Sequence, residues 1–360
     1  MKICYLTFEF PNDLGGAGRV AKENAHHLAE SGCEVEVVAV ATHKIVSDDP
    51  SFNIVHIHKK SRLPWRVYIN VLLILIFKKY DVLICNDAQS MFIASFLTFI
   101  PGRAHKYYGF IHGDEVEEII IDPSGFKKIV RFDLFYDRFL KKSEKVFFLS
   151  RFMANKFCKN FLALDSKKAV VINAGLRIAK TKVKSSISKN FGLSSPLKLI
   201  SVSRIDKEKG FEEMVAILEK FFDLGFEFEW LVVGDGDFLT ELKAIVTSSK
   251  INTNVRFAGA VKHDKVLSLI SENEVFFLLS NYEESFGLAY AEALIMGLPI
   301  IAKARGAVLD FRELRSLVCV SESEEDYLKF LISCFQQRSN RSLISELSQK
   351  YNVCNLYQEL

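Results

Sequence analysis

Short apolar runs alternate with helix-periodic, polar stretches along most of the chain. In the first half the runs are KICYLTF, VEVVAV, FNIVHI, DVLICN, YYGFIH, KVFFLS and AVVIN. Most are nearly continuous in apolar residues, the pattern of parallel strands covered on both faces. Between the first two, GAGRVAKENAHHLAESG repeats Ala21, Asn24, Ala25, Leu28 and Ala29 at helical spacing, and Gly32 marks its end. The alternation fails at AKTKVKSSISKNFGLSSP, which is rich in Ser and Lys and closes on Pro196. It restarts with LKLISVS, FEWLVVG, NVRFAG, VFFLLS, LPIIA and LVCV. The pattern predicts an α/β protein of two doubly wound, Rossmann-like domains. The first spans 1–180, a linker 181–196 and the second 197–350, leaving a tail at 351–360 expected to pack back on the first domain. Such sheets bind ligands beyond the carboxyl ends of their strands, so two facing sheets would enclose an interdomain cleft.

Charge modifies this picture by half. The 360 residues carry 47 basic and 44 acidic side chains, which argues against a general nucleic-acid binder. Residues 1–180 hold 26 basic and 19 acidic groups, and the remainder 21 and 25. The basic front half fits an anionic partner, or is ordinary solvating charge. The seven cysteines form no CxxC pair and several fall in strand-like runs, so they read as reduced core residues in a cytoplasmic setting. MKICYLTFEF reads as a strand, not a signal peptide, and the longest apolar run, Val67–Phe77, is too short to span a bilayer.

Candidate chemistry collects at strand exits. Gly15, Gly16 and Gly18 follow the first strand and open a helix, which suits either an anion at the helix amides or a plain turn. His112 ends a buried strand in GFIHGDE, a place for a functional or a structural histidine. In SVSRIDKEKGFEEM, Arg204 and Lys209 precede a helix; two such cations can bind a pyrophosphate, or lie in a solvated charged loop. In EESFGLAYAEALIMGLPIIA, Glu284 and Glu292 flank Phe286-Gly287. Asp235-x-Asp237 in VVGDGD imitates a metal-binding pair and a dinucleotide fingerprint, but Leu239 stands where the third glycine belongs.

The succession SVSRIDKEKGFEEMV, WLVVGDGDFLTEL, NVRFAGAV and YEESFGLAYAEALIMGLPIIA resembles the GT-B glycosyltransferases, specifically the large retaining family 4 (glycosyl transferases group 1), over almost the whole chain. The resemblance implies a hexosyltransferase-type enzyme that uses a nucleotide sugar, UDP- or GDP-linked, and needs no metal or other cofactor. Glu292 would accept hydrogen bonds from the ribose diol and Glu284 would contact the donor sugar. The Phe286, Gly287 and Leu288 amides would face sugar and phosphates. Arg204 and Lys209 would neutralise the departing diphosphate. His112 would reach the sugar near the reacting carbon, the Gly15-Gly16 turn would approach a phosphate, and backbone from Gly259 through Val261 and Lys262 would hold the base. In the family, the Asp235 position belongs to a Gly-Asp-Gly turn.

Two stretches depart from the family pattern. VVINAGLR replaces Pro-Asn-Gly-x-Asp, and KARGAVLDF replaces Gly-Gly-x-Pro-Glu, so donor identity stays open. On the acceptor side, Lys59, Lys60, Arg62 and Arg66 accompany Trp65 and an apolar helix, a composition suited either to an anionic membrane surface or to packing on the sheet. The expected acceptor is a glycan or lipid-linked sugar of a bacterial surface polysaccharide or lipopolysaccharide. A nucleotide-sugar 2-epimerase and a silent sugar-nucleotide-binding subunit are the alternatives.

Overall fold

The computed structural model describes residues 1–10, 16–41, 50–58, 64–100, 106–113, 115, 116, 119, 121–172, 195–314, 317–337 and 356–360. Gly15, Lys59, Lys60, Arg62, the stretch VVINAGLR from Asn173 on, and the predicted linker up to Ser194 lie outside them. The chain divides into two compact units, Met1–Leu176 with Val353–Leu360, and Arg177–Asn352.

The first unit holds a seven-stranded sheet: β1 (Lys2–Thr7), β2 (Glu34–Ala41), β3 (Asn53–His58), β4 (Val82–Cys85), β5 (Lys106–Ile111), β6 (Lys145–Phe148) and β7 (Ala169–Val171), in the order 3-2-1-4-5-6-7. Every pairing is parallel, as the continuous apolar runs require. Helices α1 (Gly16–Glu30), α2 (Pro64–Phe77), α3 (Ala88–Leu97), α4 (Gly125–Ile129), α5 (Phe132–Lys142) and α6 (Arg151–Asn160) connect the strands. The periodic residues of α1 are the ones it turns inward, with Ala21, Ala25 and Leu28 wholly buried, and Gly32 leaves the helix at φ +85°. Helix α2 hides its period because it is apolar on every side. Val67, Val71 and Leu75 enter the core, while Trp65, Ile69, Leu73 and Phe77, each four residues on, form an exposed apolar stripe. At the chain's end α12 (Leu356–Glu359) joins this unit: Leu356 is buried, Lys145 pairs with Glu359 at 2.8 Å, and Tyr108 donates to the Leu360 carbonyl at 3.0 Å.

The second unit holds β8 (Leu197–Val202), β9 (Phe228–Val233), β10 (Val255–Gly259), β11 (Val275–Phe277), β12 (Ile300–Lys303) and β13 (Val318–Ser321), all parallel in the order 10-9-8-11-12-13. Its helices are α7 (Phe211–Asp223), α8 (Leu239–Ser248), α9 (His263–Ser271), α10 (Leu288–Ile295) and α11 (Glu324–Gln336). In each sheet the chain winds outward from one strand, then crosses to that strand's other side. This puts a topological switch point between β1 and β4, and another between β8 and β11. Loops leaving the two strands diverge there and open a crevice, so ligands settle at such points.

Candidate functional site

At the second unit's switch point, the loop after β8 carries Arg204 and Lys209 and the loop after β11 carries Glu284. Glycines let these two loops, and the segment after β12, close on one another. Gly210 adopts φ +71°, and a Cβ there would stand 2.1 Å from the Leu279 carbonyl oxygen. Gly306 (φ +66°) lies against the Glu283–Glu284 backbone, where a Cβ would come within 2.4 Å of the Glu284 nitrogen. Backbone bonds from Asn281 N to Glu208 O and from Ala307 N to Glu284 O, each 2.7 Å, lock the arrangement.

Lys209 Nζ thereby meets Glu284 Oε1 at 2.7 Å, with both side chains mostly covered (13% and 21% exposed). Ser280 Oγ donates to the same oxygen at 2.9 Å, and the Lys209 ammonium lies 4.8 Å from the centre of the Tyr282 ring. Arg204 is open to solvent (71% exposed), steadied by Nε donating to Asp206 at 2.9 Å. Asp206 foremost, with a smaller part from Tyr282, raises its pKa further. Tyr282 therefore acts on both cations. A phosphate-sized anion at this point would meet one preorganised ammonium and one guanidinium with free donors.

Helix α10 begins at Gly287, whose φ of +74° turns the chain into the helix; a Cβ there would stand 2.8 Å from the Tyr290 ring. The Phe286 side chain is buried and meets Phe311 edge-on at 6.3 Å, so only its backbone is offered to a ligand. One turn into the helix, Glu292 is buried (3% exposed), with His263 Nε2 at 3.7 Å from Oε1. That contact ties α10 to the end of β10, where Gly259 (φ +68°) accepts from Gly234 N at 3.0 Å and Lys262 leads into α9. The predicted donor residues of this unit thus form two neighbouring groups joined by α10, one around Lys209–Glu284 and one around Glu292 and the 259–263 turn.

The VVGDGD turn has a packing explanation. Gly234 (φ +143°) and Gly236 let the turn press on Ser203 and Ile205, with added Cβ atoms 1.9 Å and 2.3 Å from their carbonyl oxygens. Ile205 N donates to Asp235 O, and Phe238 N to Ile205 O. The turn braces the Arg204 loop, while the Asp235 carboxylate accepts from Gly236 N at 2.8 Å. Among the described residues, no group of three His, Cys, Asp or Glu side chains could hold a metal ion.

At the first unit's switch point, His112 follows β5 and Gly16 opens α1. The His112 ring contacts Asn86 at 3.2 Å, and Asn86 donates to the Ala17 carbonyl at 3.2 Å, so one buried amide links the two predicted site elements. Glu115 accepts from the His112 and Gly113 amides at 3.0 and 2.7 Å. Burial lowers the His112 pKa to about 4, which keeps the ring neutral at pH 7. Asp87 caps α3 by accepting from Ser90 N and also accepts from Phe8 N at 2.7 Å; burial raises its pKa. A cavity of about 610 Å³ in the same unit, lined by Ile119, Lys127, Lys128, Arg131, Phe132 and Leu162 among others, contains none of the predicted site residues.

Sequence reasoning did not find Asn86, Ser280, Tyr282 or His263. Each acts on a predicted residue from a distant or unremarkable position. Asn86 and Ser280 carried one usable signal, since both stand just past a switch-point strand.

Two family models cover nearly the whole chain. Glycosyltransferase Family 4 matches residues 14–180 and Glycosyl transferases group 1 matches residues 183–350. The N-acetyl-alpha-D-glucosaminyl L-malate synthase of Bacillus anthracis is 25% identical over 316 residues, covering 82% of this chain and 77% of that one. Other curated relatives match over 23% to 61% of their own length. The structure is similar to that of Anabaena HepE in complex with UDP (TM-score 0.71, 15% identity, 98% of this chain and 96% of that one). It is also similar to WaaG, a glycosyltransferase involved in lipopolysaccharide biosynthesis (TM-score 0.68, 17% identity, 97% and 95%). The likeness to both establishes the GT-B architecture.

Proposed function

The chain belongs to the group 1, family 4 glycosyltransferases of GT-B fold, and from that premise we propose that it moves a sugar from a nucleoside-diphosphate sugar, UDP- or GDP-linked, onto a glycan or lipid-linked acceptor, with retention of anomeric configuration and without a metal. The observation that carries this reading is the Lys209–Glu284 pair beside Arg204 at the switch point. Cleaving a glycosyl phosphate leaves negative charge on the diphosphate. Cations already fixed there stabilise that charge without reorganising at the moment of reaction. Lys209 and Arg204 take the leaving diphosphate, and the amides at Gly287 and Leu288 add helix-terminal donors. Glu284 receives hydroxyls of the sugar, and Glu292 receives the ribose diol. Within the first unit, His112 and Gly16 are the candidates for contacts to sugar and phosphate. With the diphosphate charge met by side chains, a DxD-bound metal has no task.

The acceptor side of the reading is a surface polysaccharide or lipopolysaccharide intermediate, in keeping with the involvement of WaaG in lipopolysaccharide biosynthesis. The Trp65, Ile69, Leu73 and Phe77 stripe, with Arg66 stacked 5.6 Å from the Trp65 ring, supports a peripheral contact with an anionic membrane. Among the described residues, no helix is long and apolar enough to cross a membrane. The test of the donor assignment is a thermal-shift screen of nucleotide sugars and nucleoside diphosphates. A ligand at a hundred times its Kd adds about 2.7 kcal/mol of stability. UDP or GDP should raise Tm in the wild type and lose that effect in Glu292→Ala; no shift with any nucleotide would remove the reading.

A further inference from the structure

Beneath His112 lies a line of buried polar groups that the transfer reading leaves unused. Tyr5 in β1 and Asn86, the first residue past β4, are both fully buried. Asn24 of α1 donates through Nδ2 to the Tyr5 hydroxyl at 3.1 Å, and Tyr5 donates to Asn86 Oδ1 at 3.0 Å. Asn86 Nδ2 lies 3.2 Å from the Ala17 carbonyl and 3.3 Å from Thr7 Oγ1. His112 Nε2 lies 3.2 Å from Asn86 Oδ1.

These contacts fix the protons shared between Asn86 and His112. A carbonyl oxygen only accepts, so the side of Asn86 facing Ala17 must be its NH2 group. The amide oxygen then faces His112, and it too only accepts. The neutral His112 ring must therefore carry its proton on Nε2, which leaves Nδ1 unprotonated. We propose that Asn86 is the positioning residue of His112, holding the imidazole as the Nε2–H tautomer so that Nδ1 can accept a hydrogen bond from a sugar hydroxyl. The last step rests on the transfer reading; the tautomer does not. The ring's low proton affinity belongs to the same design, because an imidazolium has no acceptor to offer. The selectivity follows. A hydroxyl-bearing sugar satisfies Nδ1, whereas a deoxy analogue at that carbon leaves it unpaired. Asn86 also holds the first turn of α1 through Ala17, so one amide sets both the phosphate-side helix and the sugar-side histidine.

The experiment is long-range 1H–15N spectroscopy of the histidine-labelled full chain, with Asn86→Leu and Asn86→Asp beside the wild type. The wild type should show His112 with Nε2 protonated and Nδ1 bare near neutral pH. Asn86→Leu should mix the tautomers and lower kcat/KM for the donor about tenfold, the worth of one hydrogen bond. Asn86→Asp keeps an acceptor against Nε2–H, so the tautomer should persist while the ring titrates at a higher pH than in the wild type. This second variant separates the claim from a folding defect in the first. An Nδ1–H tautomer in the wild type, or an unchanged spectrum in Asn86→Leu, overturns the positioning role. The expected spectra with wild-type kcat/KM in His112→Ala overturn the sugar contact alone, and failure of all nucleotide binding falls on the transfer reading instead.

Discussion

Replacing Lys209 by Met separates the structural from the chemical value of its charge. In the folded protein Lys209 and Glu284 meet at 2.7 Å with most of both side chains covered. Removing the cation leaves a carboxylate that still accepts from Ser280 Oγ. A fully buried pair broken this way costs about 3–5 kcal/mol, an exposed one under about 1, so a pair this partly covered should cost about 1–2 kcal/mol. That corresponds to a fall in Tm of about 2–8 °C for a unit of this size. Adding Glu284→Gln removes the stranded charge, so the double variant should recover most of the lost stability. Turnover should behave otherwise. Losing a group that stabilises developing charge costs roughly 10²–10³ in rate. Neither the single nor the double variant should recover it. Arg204→Ala is the companion case: with its side chain 71% exposed it should leave Tm nearly unchanged, yet reduce turnover to a similar degree. The assays are differential scanning fluorimetry and steady-state kinetics on the same preparations. If the double variant regains both stability and turnover, the pair is structural and the leaving-group assignment is wrong.

Three further outcomes follow from the geometry. Glu292→Ala should chiefly weaken calorimetric binding of the free nucleoside diphosphate, and Glu284→Ala should chiefly impair transfer; the opposite pattern would reverse their roles. His112 is held neutral by burial, with its pKa near 4 against 6.5 when unfolded, so between those values the unfolded chain binds a proton that the folded one does not. Stability should therefore fall as pH drops from 6.5 to 4, by about 3 kcal/mol from this group, and His112→Asn should flatten urea-unfolding free energies measured across that window. Trp65→Ser with Leu73→Ser should reduce co-sedimentation with anionic vesicles while leaving nucleotide affinity intact; equal sedimentation of wild type and variant would leave the α2 stripe without a membrane role.

All thirteen strands of the described residues could be read beforehand: the central ones, buried on both faces, write themselves as continuous apolar runs, and the half-covered β3, β7 and β10 still stand out between polar stretches. The cations and glutamates at those exits were legible for the same reason: a charge just past a buried strand has little packing to do. Helix α2 was harder. Its run from Val67 to Phe77 has no polar face, so only the structure separates Val71 and Leu75 in the core from Leu73 and Phe77 outside it. The partners that tune the site were hidden by sequence distance. Asn86 reaches Tyr5 across 81 residues, and Lys209 reaches Glu284 across 75. Glycines 234 and 236 looked like part of a ligand motif, and their close approach to Ser203 and Ile205 became visible only when the β8 and β9 loops were set side by side.

The central claim is retaining transfer driven by side-chain cations, and one reaction tests it directly. The EDTA-treated protein is incubated with the nucleotide sugar that binds best and with lipid-linked acceptors, and the product's anomeric centre is read by NMR against the donor's. The account predicts transfer without added metal, release of one nucleoside diphosphate per sugar moved, and an anomeric configuration matching the donor. An inverted product, or activity that returns only with Mn²⁺ or Mg²⁺, would contradict it.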